Sequence, residues 1–88
     1  MIIPAYTHKA ARDIMNWIRL RWHKGTRYYE THLHQDLWDQ WVLTRVWGRR
    51  GTQLGQVKHS ICNSYEEGLA ALDEVSVRRE KRGYGIVE

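Results

Sequence analysis

The chain has almost none of the residues that build covalent or metal-based scaffolds. Of its 88 residues one is cysteine, one is proline and none is phenylalanine. A lone thiol, Cys62, excludes an internal disulfide and any zinc site made of paired cysteines, and it suits a reducing, cytoplasmic compartment. With one proline and seven glycines, no Pro/Gly linker is long enough to divide the chain, and no internal repeat or low-complexity tract occurs. No apolar run approaches the ~18 residues needed to cross a bilayer. The start Met1-Ile2-Ile3-Pro4 also lacks a basic region followed by a long apolar stretch. The expectation is a soluble, untargeted protein with no membrane partner.

What is present is aromatic and basic. Five Trp and five Tyr, with no Phe, mean that every aromatic ring carries a polar handle. Such rings fill cores when the N–H or O–H finds a partner, and they also suit surfaces on which bases stack. Fourteen basic residues against ten acidic give a net charge of +4 and a pI near 9.5, a balance that favours polyanionic partners. The excess is concentrated early, where Lys9, Arg12, Arg19 and Arg21 face only Asp13.

Hydrophobic periodicity orders the chain. Ala10, Ile14, Trp17 and Ile18 follow i, i+4, i+7, i+8, which predicts an amphipathic helix from Ala10 to Trp22, closed by Lys24-Gly25-Thr26. Residues 1–25 then read as an N-terminal helical extension and 26–88 as the main domain. Arg27 to Gln35 and Gln40 to Arg49 predict two strands of a hairpin around the turn-prone Asp36 and Asp39. One face of the second strand carries Trp41, Leu43, Arg45, Trp47 and Arg49, the other Val42, Thr44, Val46 and Gly48, so the pattern does not choose which is buried. Gln56 to Ile61 predicts a third strand, antiparallel by its short connection. Ser64 and Glu67 form a capping-box signature ahead of a stripe of Tyr65, Leu69, Leu72 and Val75, and this helix ends at Gly83. The expected fold class is α+β: a small antiparallel sheet, a C-terminal helix packed across it, and the additional N-terminal helix.

No constellation for catalysis emerges. His32 and His34 share a strand face, but two ring nitrogens with no third ligand at a recognisable spacing do not make a metal site. Cys62 has no signature placing a histidine beside it, and Ser64 is accounted for by its capping position. Asp36 and Asp39 suit a turn better than a pair of catalytic carboxylates. Neither an enzyme nor a cofactor is expected.

One ordered set stands out: Tyr28-Tyr29, then Val46-Trp47-Gly48-Arg49-Arg50-Gly51-Thr52, then Gly55-Gln56, and downstream Glu80-Lys81-Arg82-Gly83-Tyr84. Over roughly residues 26–84 this resembles the WGR domain family, and the short stand-alone bacterial proteins in particular. The resemblance implies an antiparallel sheet crossed by a helix and a non-enzymatic role. In poly(ADP-ribose) polymerases such domains contact DNA at strand breaks. It also implies stacking for Trp47, a DNA or interdomain contact for Arg49, a phosphate contact for Lys81, and turn-shaping roles for Gly48, Gly51 and Gly55. Read as residues, an indole stacks on any base and a guanidinium grips phosphate through its planar fork, although Trp47 reads equally as a core residue. Arg50, Lys58 and Arg45 lie on or beside the same strands. Arg78, Lys81 and Arg82 fall on the helix side away from Leu69 and Leu72, although a helix dipole alone favours cations there. The expected partner is DNA, at ends, nicks or single strands, with RNA next. The rival reading is a protein-interaction adaptor or homo-oligomer that uses residues 10–22 as its docking helix.

Overall fold

The computed structural model describes residues 14–53 and 55–87. A single 3-10 turn at Ile14–Asn16 leads into β1 (Ile18–Lys24), β2 (Arg27–Gln35), β3 (Trp41–Arg49) and β4 (Gly55–Cys62). Helix α1 (Tyr65–Lys81) follows, then the two-residue strand β5 (Gly85–Ile86). All neighbours pair antiparallel, in the order β4-β3-β2-β1-β5. The α+β class, the β2–β3 hairpin, the third expected strand and the capped helix are present as the sequence predicts.

The N-terminal amphipathic helix is not found among the described residues. From Ile18 to Lys24 the chain is a strand, hydrogen-bonded to β2 on one side and β5 on the other. Residues 10–13 of the expected helix lie outside the described residues. The physical reason is visible in the alternation Ile18-Arg19-Leu20-Arg21-Trp22-His23. That period of two puts Ile18, Leu20 and Trp22 on one face and the cations on the other, as a strand requires. Ile14, Trp17 and Ile18 also satisfy a helical stripe, and the sheet wins because pairing with β2 buries Trp22 completely (0% exposed). Gly25, at φ +58, ends no helix but opens a two-residue hairpin turn, where tight hairpins favour glycine.

The β2–β3 turn is held by Asp36, whose Oδ1 accepts the Trp38 and Gln40 N–H groups at 2.8 and 3.0 Å. Asp39 takes the left-handed conformation at φ 63, which Asp tolerates better than most residues. At the start of α1, Ser64 Oγ accepts the Glu67 N–H at 3.1 Å, while the Glu67 carboxylate accepts the Asn63 N–H at 2.7 Å. These contacts satisfy donors that a helix start otherwise leaves open.

Helix α1 lies across one face of the sheet. Trp22, Tyr29, Leu33, Leu43, Cys62, Leu72 and Val75 form the core, with Trp41 and Tyr65 packed at its edge, ring centroids 4.7 Å apart. The approach is closest at Gly68, where a Cβ would stand 2.6 Å from Leu33 Cδ1. Among the described residues no helix is long and apolar enough to cross a membrane.

Candidate nucleic-acid interface

Residues directly opposite in an antiparallel ladder share a face. The register therefore sets out rows across the face that bears α1. Lys24, Arg27 and Arg49 form one row, Trp22, Tyr29, Trp47 and Gln56 the next, and Leu20, Thr31, Arg45 and Lys58 the third. An aromatic row thus runs between two rows that end in cations. At the β1 end it is sealed into the core. At Trp47 the cover is incomplete and the indole is half-buried.

Tyr29 is the keystone of the aromatic row. Trp47 stacks on it with centroids 5.7 Å apart and planes at 14°. Trp22 and Tyr84 meet it edge-on, at 6.1 and 6.3 Å. The Arg79 guanidinium lies 4.3 Å from the Tyr29 ring centre and 5.1 Å from that of Tyr84. Arg45 places its guanidinium 6.0 Å from the Trp47 ring centre. Such cation–π contacts hold guanidinium groups against the aromatic surface without neutralising them. Beside Trp47, the residues Arg27, Gly48, Arg49 and Tyr84 line a shallow hollow, and Gly55 and Gln56 line a second.

The charged residues in the rows that flank Trp47 across β2, β3 and β4 are all cations. Arg27 faces Arg49, and Arg45 faces Lys58, as direct cross-strand neighbours. Among the described residues no carboxylate pairs with any of the four. Like charges set opposite each other destabilise a sheet, and an anion bound between them would relieve the repulsion.

The model of the WGR domain matches residues 14–88. The chain belongs to the WGR domain family. WGR domains are nucleic-acid-binding in type, found in proteins related to the poly(ADP-ribose) polymerases, and they bind rather than catalyse. No curated protein and no solved structure matches the chain.

Within this WGR domain the residues singled out from sequence fall into several places. Trp47, Arg49, Arg45 and Lys58 come together on the face just described. Arg50 stands apart as a tie for the neighbouring turn: its N–H donates to Thr26 O at 2.7 Å and its Nη2 to Gly25 O at 2.5 Å. Arg78 and Lys81 border a separate hollow with Asp73, Glu74 and Val77. Arg82 caps α1, and its carbonyl accepts Lys24 Nζ at 2.6 Å. Gly51, at φ +82, turns the chain after β3.

Gly48 and Gly55 lie on the opposite face from Trp47 and Arg49, in register with Tyr28. A Cβ at Gly55 would stand 2.8 Å from the Tyr28 hydroxyl and 3.3 Å from Trp47 O. The Tyr28 side chain thus reaches across the Gly48 position to Gly55. A side chain at Gly55 would collide with that hydroxyl, so the glycine leaves room for it.

Sequence reasoning passed over Arg27, Tyr29, Arg79 and Tyr84 as site residues. Arg27 was legible as the first residue of its strand, facing the end of the next. Arg79 was not, because only the packing of α1 sets it over Tyr29.

The histidines make a polar chain on the opposite face. His34 Nε2 lies 2.9 Å from Thr44 Oγ1, which lies 2.8 Å from His59 Nδ1, so the hydroxyl bridges the two rings. His32 sits 3.2 Å from Glu30. Among the described residues no three His, Cys, Asp or Glu side chains are placed to hold a metal ion. Cys62 is buried, and that burial, followed by the nearby Glu67 carboxylate, pushes its thiol above the usual thiol value. A thiol held protonated is a poor nucleophile.

Proposed function

We propose that this WGR domain binds DNA with little regard to sequence, at ends, nicks or single strands, through the half-buried Trp47 and the cations around it. The observation that carries the reading is the two pairs of like-charged cross-strand neighbours, Arg27–Arg49 and Arg45–Lys58, flanking an aromatic row with no carboxylate among the described residues to compensate them. Phosphates seated on both pairs bring a base or sugar over Trp47. Tyr29 already stacks on the indole, which fixes its orientation before the ligand arrives and lowers the ordering cost of binding.

Arg49 and Arg45 act as phosphate forks and Lys58 as a point charge. Arg78, Lys81 and Arg82 extend the positive field at the end of α1. Their part is smaller, because Asp73 and Glu74 share the hollow of Arg78 and Lys81. Arg50, engaged with Gly25, supports the turn more than the ligand.

The test is a titration of labelled blunt, nicked and single-stranded DNA, and of RNA, at two salt concentrations. With about four phosphates neutralised, duplex affinity should fall about a hundredfold between 50 and 200 mM salt. Binding that ignores salt, or no binding at low salt, overturns the reading. Preference for RNA would replace DNA as the ligand.

A further inference from the structure

The outer edge of β4 is eight residues long, and among the described residues nothing pairs with it. Which of its backbone groups are free follows from the ladder. Arg50 N–H donates to Thr26 O and Asp36 N–H to Gln40 O, so the even-numbered residues of β3 bond towards β2. The odd-numbered ones, Trp41 to Trp47, then bond towards Cys62, Ser60, Lys58 and Gln56 of β4. The N–H and C=O groups of Val57, His59 and Ile61 are left pointing outward. The same residues put Val57 (57% exposed) and Ile61 (66%) on the sheet face that α1 does not cover.

We propose that this edge pairs antiparallel with the same edge of a second copy, about a two-fold axis at His59, to make one continuous sheet. The sequence of β4 is self-complementary in that register. Val57 faces Ile61 of the other copy twice, Lys58 faces Ser60, Gln56 faces Cys62, and the outward groups meet as hydrogen-bonded pairs. Moving the axis to Lys58 would set two lysines face to face. Moving it to Ser60 would shorten the overlap. Lys58, a charge of the kind that keeps edge strands from pairing at random, thus selects one register. The two-fold axis stands perpendicular to the sheet, so both copies present α1 and Trp47 on the same side.

Sedimentation equilibrium of the full chain, without nucleic acid, tests the pairing independently of the binding proposed above. A reversible monomer–dimer equilibrium is expected. Val57→Lys and Ile61→Glu should each weaken it roughly tenfold, since symmetry places each change twice. The double variant should regain most of that loss, because Lys at 57 then faces Glu at 61 of the other copy, and the two positions are too far apart to pair within one chain. Val57→Pro, which removes an outward N–H but no bond to β3, should also give monomers with an unchanged circular dichroism spectrum. A single-chain mass at every concentration, or a dimer whose double variant is as weak as the two changes combined, overturns the proposal.

Discussion

The two faces of the sheet treat their cations in opposite ways. On the face without the helix, Arg19 and Arg21 each stand 3.7 Å from Glu30, the carboxylate that also meets His32. On the helix-bearing face, Arg27 opposes Arg49 and Arg45 opposes Lys58, with no carboxylate among them. The first arrangement gives modest stability, a few tenths of a kcal/mol for exposed pairs. The second costs a comparable amount. That the sheet tolerates this cost on both sides of its half-buried Trp supports the proposal that the charge there serves a bound anion.

The largest expected effect comes from breaking the aromatic row. Trp47→Ala should lower DNA affinity about ten- to a hundredfold, the range for loss of one base–aromatic stack, and leave a folded domain with a lower melting temperature. Trp17→Ala, on the other face where Trp17 meets His34 edge-on at 5.9 Å, should leave affinity unchanged. Equal losses from both substitutions would erase the distinction between the faces.

Next in size is a change beneath the helix. At Gly68 an added methyl meets the Cδ1 of Leu33, which is fully buried. Gly68→Ala should cost about 1–2 kcal/mol of stability by overpacking, read from a denaturant midpoint, with DNA affinity of the folded protein preserved. A loss of affinity instead would mean that the seating of α1, and of Arg79 on Tyr29 with it, sets the binding surface.

How far the sequence foretold these faces depends on the range of the interaction. The β2–β3 hairpin, its Asp36 turn and the Ser64–Glu67 cap were legible because their signals lie within a few residues of one another. β1 was misread because Ile14, Trp17 and Ile18 fit a helical stripe, while the alternation from Ile18 to Trp22 gains meaning only once β2 is its neighbour. β5 is too short to have a pattern of its own. Trp47 and Arg49 were found through an ordered motif, and Arg45 and Lys58 through composition. Their opposition across the ladder needed the register, as did the seating of Tyr28 over Gly48 and Gly55. Arg79 needed tertiary packing.

A smaller effect sharpens the contrast of charges. Arg45→Gln should weaken DNA binding several-fold and reduce the salt slope by about one, while stability without DNA holds or rises by a few tenths of a kcal/mol as the repulsion with Lys58 is lifted. Glu30→Gln should do the reverse: stability falls slightly as Arg19 and Arg21 lose their partner, and affinity does not fall. A drop in stability from Arg45→Gln would mean that its contact with Trp47, rather than a bound phosphate, is what keeps it there.

The smallest effect concerns pH. Cys62 lies on the helix-bearing face at the end of β4, and burial first, then Glu67, raise its thiol above the ordinary value. The folded protein therefore keeps that proton to a higher pH than the unfolded chain does. Stability linked to this group is intact below the unfolded thiol's pKa of about 8.5 and declines as pH rises beyond it. Denaturant midpoints at pH 7 and about 9.5 should show a decline that is smaller in Cys62→Ala, the difference between the two chains isolating the thiol from every other group. Thiol-directed reagents should modify the native protein at neutral pH far more slowly than the unfolded one. Fast modification would mean that the end of β4 opens beneath α1, and that the helix-bearing face is less firmly closed at this end than Trp41 and Tyr65 make it.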